Sequence, residues 1–89
     1  MNVCKLITVK GRVQGVGYRF AAKHVAEKMN ITGSVKNMPD GSVEMIACGN
    51  DTLISKYISW CGDGPIRAKV SHLNVIDMPY QHYKKYSIL

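Results

Sequence analysis

Residues 3–30 read VCKLITVKGRVQGVGYRFAAKHVAEKMN, and the spacing of the apolar residues changes within this stretch. Val3–Val9 is apolar and β-branched, which predicts a first strand. Three glycines then indicate a loop: Gly11, Gly15 and Gly17. After Tyr18, apolar residues recur at helical spacing and predict one buried helix face, made of Ala21, Ala22, Val25, Ala26 and Met29. Asn30 is a suitable left-handed end for this helix.

The rest of the chain continues with a hairpin and a second helix. Residues 31–48 read ITGSVKNMPDGSVEMIAC, where Met38–Gly41 supplies the turn between two extended runs. Asn50, Asp51 and Thr52 offer an N-cap for a helix whose apolar positions are Leu53, Ile54, Tyr57, Ile58 and Cys61. Ala68–Ile76 predicts a fourth strand, and Tyr83–Ile88 a short fifth strand at an edge.

The predicted order of elements is β-α-β-β-α-β with an extra strand. This order predicts an α+β fold, a ferredoxin-like sandwich with an antiparallel sheet of four to five strands and two helices on one face. Eighty-nine residues, 46% of them hydrophobic and 20% charged, are typical of one globular domain, which we expect to span residues 1–89. No apolar run reaches the roughly 20 residues that span a bilayer, and no secretory signal opens the chain. We therefore expect a cytoplasmic protein.

Charge and cysteine content narrow the classes of partner. Twelve Lys and Arg against six Asp and Glu give a net charge of +6, which favours an anionic partner such as a phosphorylated metabolite, a nucleic acid or a membrane surface. The basic residues are scattered, and Lys84-Lys85 is the only adjacent pair. The three cysteines and three histidines lack the spacing of zinc ligands, so we predict no metal site and no cofactor.

Two of the cysteines should lie close together. If Ile7 and Val9 face the helices, strand alternation turns Cys4 to the other face, and the same reasoning applies to Cys48 on the third strand. The first and third strands are antiparallel neighbours in the predicted topology. A disulfide between Cys4 and Cys48 is therefore geometrically feasible. A reducing cytoplasm favours the alternative, two free thiols.

The loop and the start of the first helix read GRVQGVGYR, Gly11–Arg19. Glycines allow successive backbone N–H groups to point into one concavity, which binds anions, and the helix N-terminus adds partial positive charge. The Arg19 guanidinium can hold a phosphate through two parallel hydrogen bonds. Glycine-rich loops are common, and on composition alone an ordinary flexible connection explains this one equally well. Asn37 shares the parity of Val35 and should lie on the helix side of the sheet. An Asn there could hold a water or hydrogen-bond the backbone of the turn, and taken alone the turn role is favoured.

Together these segments resemble a known family. GRVQGVGYR, followed eighteen residues after Arg19 by Asn37 within KNMPDGSVE, is similar to the acylphosphatases over essentially the whole chain. Those are small single-domain hydrolases that cleave the mixed anhydride of carboxyl-phosphates. Two motifs at a fixed separation are more specific than either motif alone.

The resemblance implies a role for each matching residue. Arg19 corresponds to the phosphate-binding arginine and Asn37 to the asparagine that orients the attacking water. The family's phosphate cradle corresponds to the backbone of Gln14, Gly15, Val16, Gly17, Tyr18 and Arg19. The Tyr18 side chain is expected to pack rather than to react. The implied enzyme acts on a small-molecule acyl phosphate, releases phosphate without a metal or cofactor, and works as a monomer without nucleic acid or membrane.

The sequence also allows three other interpretations. Cys61 and Arg67 have the Cys-x5-Arg spacing of cysteine-dependent phosphatases, but this Cys closes a helix and Pro65 removes a backbone N–H from the loop. A nucleic-acid-binding module is allowed by fold and charge, yet the runs VCKLITV and SVEMIAC hold no aromatic residue on which bases could stack. A non-catalytic anion-binding domain of the same fold stays open, because a fold alone does not determine function.

Overall fold

A computed structural model describes residues 1–89 and places two helices against one face of a five-stranded sheet. The elements follow the predicted order, with the extra strand at the end. They are β1 (Asn2–Arg12), α1 (Tyr18–Lys28), β2 (Thr32–Asn37), β3 (Val43–Asn50), α2 (Asp51–Asp63), β4 (Lys69–Met78) and β5 (Tyr86–Ile88). Neither helix is long and apolar enough to cross a membrane.

The sheet has the strand order β4-β1-β3-β2-β5, which confirms the ferredoxin-like α+β fold. The pairs β1–β3, β1–β4 and β2–β3 are antiparallel, as predicted. The fifth strand differs, because β5 runs parallel to β2 and pairs Tyr86 with Gly33 and Ile88 with Val35. The sheet is therefore mixed and not wholly antiparallel. The reason is that β4 and β5 occupy opposite edges, so the chain crosses the end of the sheet before it forms β5.

The core lies between the helices and the sheet. Strand alternation places the inward residues as predicted, and each of these is fully buried: Ile7, Val9, Val43, Met45 and Ala47. The helices contribute Ala22, Ala26, Ile54, Tyr57 and Cys61. The Tyr57 hydroxyl lies 3.0 Å from the Ala22 carbonyl oxygen and 2.7 Å from the Tyr86 hydroxyl. These hydrogen bonds satisfy the two phenol hydroxyls, which can therefore be buried in the core.

The residues at two helix ends have the conformations that the sequence predicts. Asn50 caps α2, and its Oδ1 accepts hydrogen bonds from the N–H groups of Thr52 and Leu53 at 2.9 and 3.4 Å. Asn30 follows α1 with a φ of 55°, which is the left-handed conformation expected there.

The Cys4 and Cys48 side chains are joined by a disulfide. The two residues are direct partners in the β1–β3 register, so the predicted proximity is correct. The favoured alternative of two free thiols is not what the structure shows. Both residues are buried although they lie on the face without helices, because the segment around Gln81, between β4 and β5, contacts them there. The backbone N–H of Gln81 lies 3.3 Å from the Cys4 sulfur.

Candidate active site

A cavity of about 270 Å³ lies where α1 begins and β2 ends. It brings together Arg19, from the first turn of α1, and Asn37, the last residue of β2. The other residues that line it are Val13, Gly15, Gly17, Tyr18, Phe20 and Ile88. The two side chains singled out from the sequence therefore share one concavity with the glycine-rich loop.

The loop before α1 can receive an anion. Gly15 and Gly17 have φ angles of 73° and 79°, a left-handed conformation that side-chain-bearing residues rarely adopt. The backbone N–H groups of Gln14–Gly17 donate to no backbone carbonyl. Gly17 is the N-cap of α1 and has no side chain, so no cap satisfies the first-turn N–H groups, which have no intrahelical partners. These donors and the positive end of the helix dipole make this loop suitable for a phosphate group.

Gln14 connects this loop to the β2–β3 turn through its side chain. Its Nε2 donates to the carbonyl oxygens of Met38 and Ser42, at 2.9 and 3.0 Å. Met38 directly follows Asn37, so the amide ties the loop to the segment that carries Asn37. The sequence prediction used only the backbone of Gln14 and missed this role. The only signal was a polar side chain within an otherwise apolar and glycine-rich loop.

The turn that follows Asn37 is held by its own hydrogen bonds. The Met38 N–H donates to the Ser42 carbonyl at 2.8 Å, and the Gly41 N–H donates to the Met38 carbonyl at 3.1 Å. The Asp40 carboxylate accepts from the hydroxyl and the N–H of Ser42, at 2.6 and 2.9 Å. These two hydrogen bonds hold the pKa of Asp40 below its ordinary value. The exposed Asn37 side chain therefore projects from a well-defined backbone.

The Tyr18 side chain points into the core, in agreement with the prediction that it packs. It is 1% exposed, and its hydroxyl donates to the Cys61 carbonyl at 2.7 Å. Burial raises the pKa of the Tyr18 phenol well above its ordinary value. The phenol therefore stays protonated, and at the cavity Tyr18 offers its backbone rather than a reactive hydroxyl.

The Cys61–Arg67 segment does not form a phosphatase loop. Cys61 is fully buried in α2, whereas Arg67 is exposed in the connection to β4. Burial raises the pKa of the Cys61 thiol to about 12, so the nucleophilic thiolate is disfavoured at neutral pH. Structural context thus excludes the second phosphatase motif, as the sequence interpretation anticipated.

Two apolar side chains at the cavity were not anticipated. Phe20 is 76% exposed and Ile88 is 40% exposed, although both are large hydrophobic residues. Phe20 follows Arg19 on α1, and Ile88 comes from β5. No sequence signal could place Ile88 here, because its position depends on the parallel pairing of β5 with β2.

Another concavity, lined by charged side chains, lies outside this cavity. This larger concavity of about 600 Å³ lies on the sheet face without helices and mixes Lys10 and His72 with Asp40 and Glu44. It contains neither Arg19 nor Asn37. No group of three His, Cys, Asp or Glu side chains is arranged to hold a metal ion.

The fold and the cavity define a ferredoxin-like α+β domain with an anion-accepting loop at a helix start. Comparison with known proteins narrows this class. A family model described as Acylphosphatase matches residues 5–88. The acylphosphatase of Legionella pneumophila is 34% identical over 88 residues, which cover 99% of this chain and 97% of that protein.

Solved structures agree with the sequence comparison. An acylphosphatase from Coxiella burnetii superposes with a TM-score of 0.95 at 35% identity and covers 99% of this chain and 93% of that one. The acylphosphatase from Bacillus subtilis also gives a TM-score of 0.95, at 32% identity, over 100% of this chain and 99% of that one. The chain belongs to the acylphosphatase family, as the two motifs predicted.

Proposed function

We propose that this protein hydrolyses acyl phosphates, with Arg19 binding the phosphoryl group and Asn37 orienting the attacking water. Water attacks phosphorus, the bond between phosphorus and the acyl oxygen breaks, and the products are a carboxylate and inorganic phosphate. The observation that carries the proposal is the shared cavity, in which Arg19, Asn37 and the uncapped glycine loop come together in a chain of this family.

The phosphoryl group binds to the loop and to Arg19. Backbone N–H groups of Gln14–Arg19 surround the phosphoryl oxygens, and the guanidinium adds two charge-assisted hydrogen bonds. Donors fixed in this way stabilise the charge on the phosphoryl oxygens in the transition state without reorganising. They also hold phosphorus in place for in-line attack.

The attacking water is oriented by the Asn37 amide. No Asp, Glu, His, Lys or Cys side chain lines the cavity. A guanidinium and an amide do not accept a proton near neutral pH, so neither Arg19 nor Asn37 acts as a general base. An oxygen of the substrate phosphate therefore takes the proton of the water. The carboxylate leaves readily because it is a weak base.

We also propose the oligomeric state, the domain organisation and the location of the protein. The enzyme works as a monomeric single domain over residues 1–89, in the cytoplasm, with an acyl phosphate and phosphate as its ligands and no cofactor. The nucleic-acid alternative is not favoured, because β1 and β3 carry no aromatic residue.

The experiment that tests this proposal measures hydrolysis of benzoyl phosphate in the presence of EDTA. Wild type should turn over. Asn37→Ala should bind inorganic phosphate normally but lose activity by roughly a hundredfold or more, because the water is no longer positioned. Arg19→Ala should lose both activity and phosphate binding, because the guanidinium contacts the phosphoryl group itself.

Arg67→Ala and Asn74→Ala are matched controls, since both residues are exposed and lie outside the cavity. Both variants should retain wild-type activity. If wild type binds phosphate without turnover, the domain is a non-catalytic anion-binding module. Activity that EDTA abolishes and a divalent metal restores would also contradict the mechanism.

A further inference from the structure

Phe20 is the one phenylalanine of the chain, and its ring is mostly exposed beside the candidate active site. An exposed ring forgoes the free energy that its burial would contribute to folding. Because Tyr18 faces the core, Phe20 lies about 200° further around α1 and points away from it. The ring is therefore not part of the core, yet it lines the same cavity as Arg19.

The proposed reaction leaves half of the substrate without a binding partner. The loop and Arg19 account for the phosphoryl group, and Asn37 accounts for the water. In an in-line displacement the leaving group departs from the side opposite the attacking water. Of the two apolar side chains at the cavity, Ile88 is 40% exposed and comes from β5, whereas Phe20 is 76% exposed and directly follows Arg19 on α1. The Phe20 ring is therefore the more exposed apolar surface available to an acyl group beside Arg19.

We propose that Phe20 is a specificity-determining residue that receives the acyl group of the substrate against its exposed ring. The preferred substrates are then acyl phosphates with an aromatic or larger apolar acyl group, rather than acetyl phosphate. This inference rests on the proposed function, since it concerns the other half of the same substrate. An aromatic acyl group also suits the geometry of ring-on-ring contact.

The first test compares kcat/KM for benzoyl phosphate with kcat/KM for acetyl phosphate. In Phe20→Ala, the ratio of the two should fall roughly three- to tenfold, the range expected for loss of one aromatic contact. The fall should come from benzoyl phosphate, while acetyl phosphate hydrolysis and phosphate inhibition stay near wild type. Phe20→Leu should restore part of the ratio. Ile66→Ala, which removes a fully exposed residue away from the cavity, should leave it unchanged.

The second test measures binding without turnover, by calorimetric titration with phenylphosphonate and with methylphosphonate. Phe20→Ala should weaken binding of the phenyl compound by the same roughly three- to tenfold and leave the methyl compound unaffected. If wild type hydrolyses neither acyl phosphate but shows this difference in binding, the proposed function fails and the acyl subsite stands. The assignment to Phe20 would be overturned if Phe20→Ala lost the same affinity for both ligands or lost affinity for neither. It would also be overturned if Ile88→Ala, and not Phe20→Ala, selectively lost affinity for the phenyl compound.

Discussion

At the scale of single residues, Gln14 connects two parts of the site that are distant in sequence. Its amide donates to two carbonyls of the β2–β3 turn, while its backbone belongs to the loop before α1. The proposed reaction requires the phosphoryl group and the water to be held in one geometry. We therefore regard Gln14 as a positioning residue that fixes the loop relative to Asn37.

Replacement of this amide tests that role. In Gln14→Ala, kcat should fall roughly tenfold, because misplacing groups by a fraction of an ångström already slows an oriented reaction. The inhibition constant for phosphate should change much less, since the loop N–H groups and Arg19 remain. Loss of two hydrogen bonds should lower the free energy of unfolding by about 1–3 kcal/mol, measured by urea unfolding.

Gln81→Ala is the matched control, because Gln81 is exposed and remote from the cavity. It should leave kcat unchanged. Full activity in a destabilised Gln14→Ala would mean that the amide supports only the fold.

Cys61 allows a second test at this scale. Cys61→Ala should keep wild-type kcat, because the thiol is buried in the core and its raised pKa keeps it protonated at neutral pH. Removal of the sulfur leaves a small cavity, so the free energy of unfolding should fall by about 1–2 kcal/mol. Activity and chemical denaturation of the same preparation measure both effects. A folded but inactive variant would point to thiol chemistry.

At the scale of elements, the proposed catalytic pair, Arg19 and Asn37, depends on how the sheet orients α1 and the β2–β3 hairpin. Arg19 is at the N-terminus of α1 and Asn37 is at the end of β2, and both ends meet at the same edge of the sandwich. The disulfide lies at the other end of the central strands, where β1 begins and β3 ends. The two features are therefore separated along the sheet, and the bridge should affect stability without affecting chemistry.

The disulfide links residues 44 positions apart, so it restricts the unfolded chain strongly. Reduction, or replacement by Cys4→Ala with Cys48→Ala, should lower the free energy of unfolding by about 2–4 kcal/mol. For a domain of this size the melting temperature should fall by at least roughly 8 °C. Below that temperature kcat should match wild type. Calorimetry with and without dithiothreitol measures the shift, and an unchanged melting temperature on proven reduction would contradict the prediction.

At the scale of the whole molecule, the Asp, Glu, His, Lys and Cys side chains all lie outside the cavity. The net charge of +6 is spread over the surface, and Arg19 is the only charged side chain that lines the cavity. Tyr18, the other titratable side chain there, is protonated because burial raises its pKa. The site thus lacks a group that changes charge near neutral pH.

The pH dependence of catalysis follows from this distribution of charge. Between about pH 5 and about pH 8, where only histidine ordinarily titrates, kcat for benzoyl phosphate should vary by less than about twofold. Initial rates at saturating substrate, with the uncatalysed rate subtracted, measure the profile. A bell-shaped profile centred near neutrality would indicate a general acid and base and would contradict substrate-assisted proton transfer.

Much of the architecture could be predicted from local pattern. Val3–Val9, the helical stripe after Tyr18 and the Met38–Gly41 turn each carry their own signal, and all three elements are present. The N-cap at Asn50 was visible for the same reason. The direction of β5 could not be predicted from the sequence. Parallel pairing depends on which edge of the sheet the last segment reaches, and a three-residue strand carries no signal for that edge.

The sequence by itself therefore determined the order of elements, the inward faces of the strands, and Arg19 and Asn37 as candidate site residues, because these depend on periodicity and on motifs within short segments. Only the tertiary structure decided the Gln14 link, the position of Ile88, the exposure of Phe20 beside Arg19, and the cover over the Cys4–Cys48 bridge. Each of these depends on contacts between segments far apart in the chain. Such contacts arise when the sheet and helices pack, and local sequence preferences do not encode them.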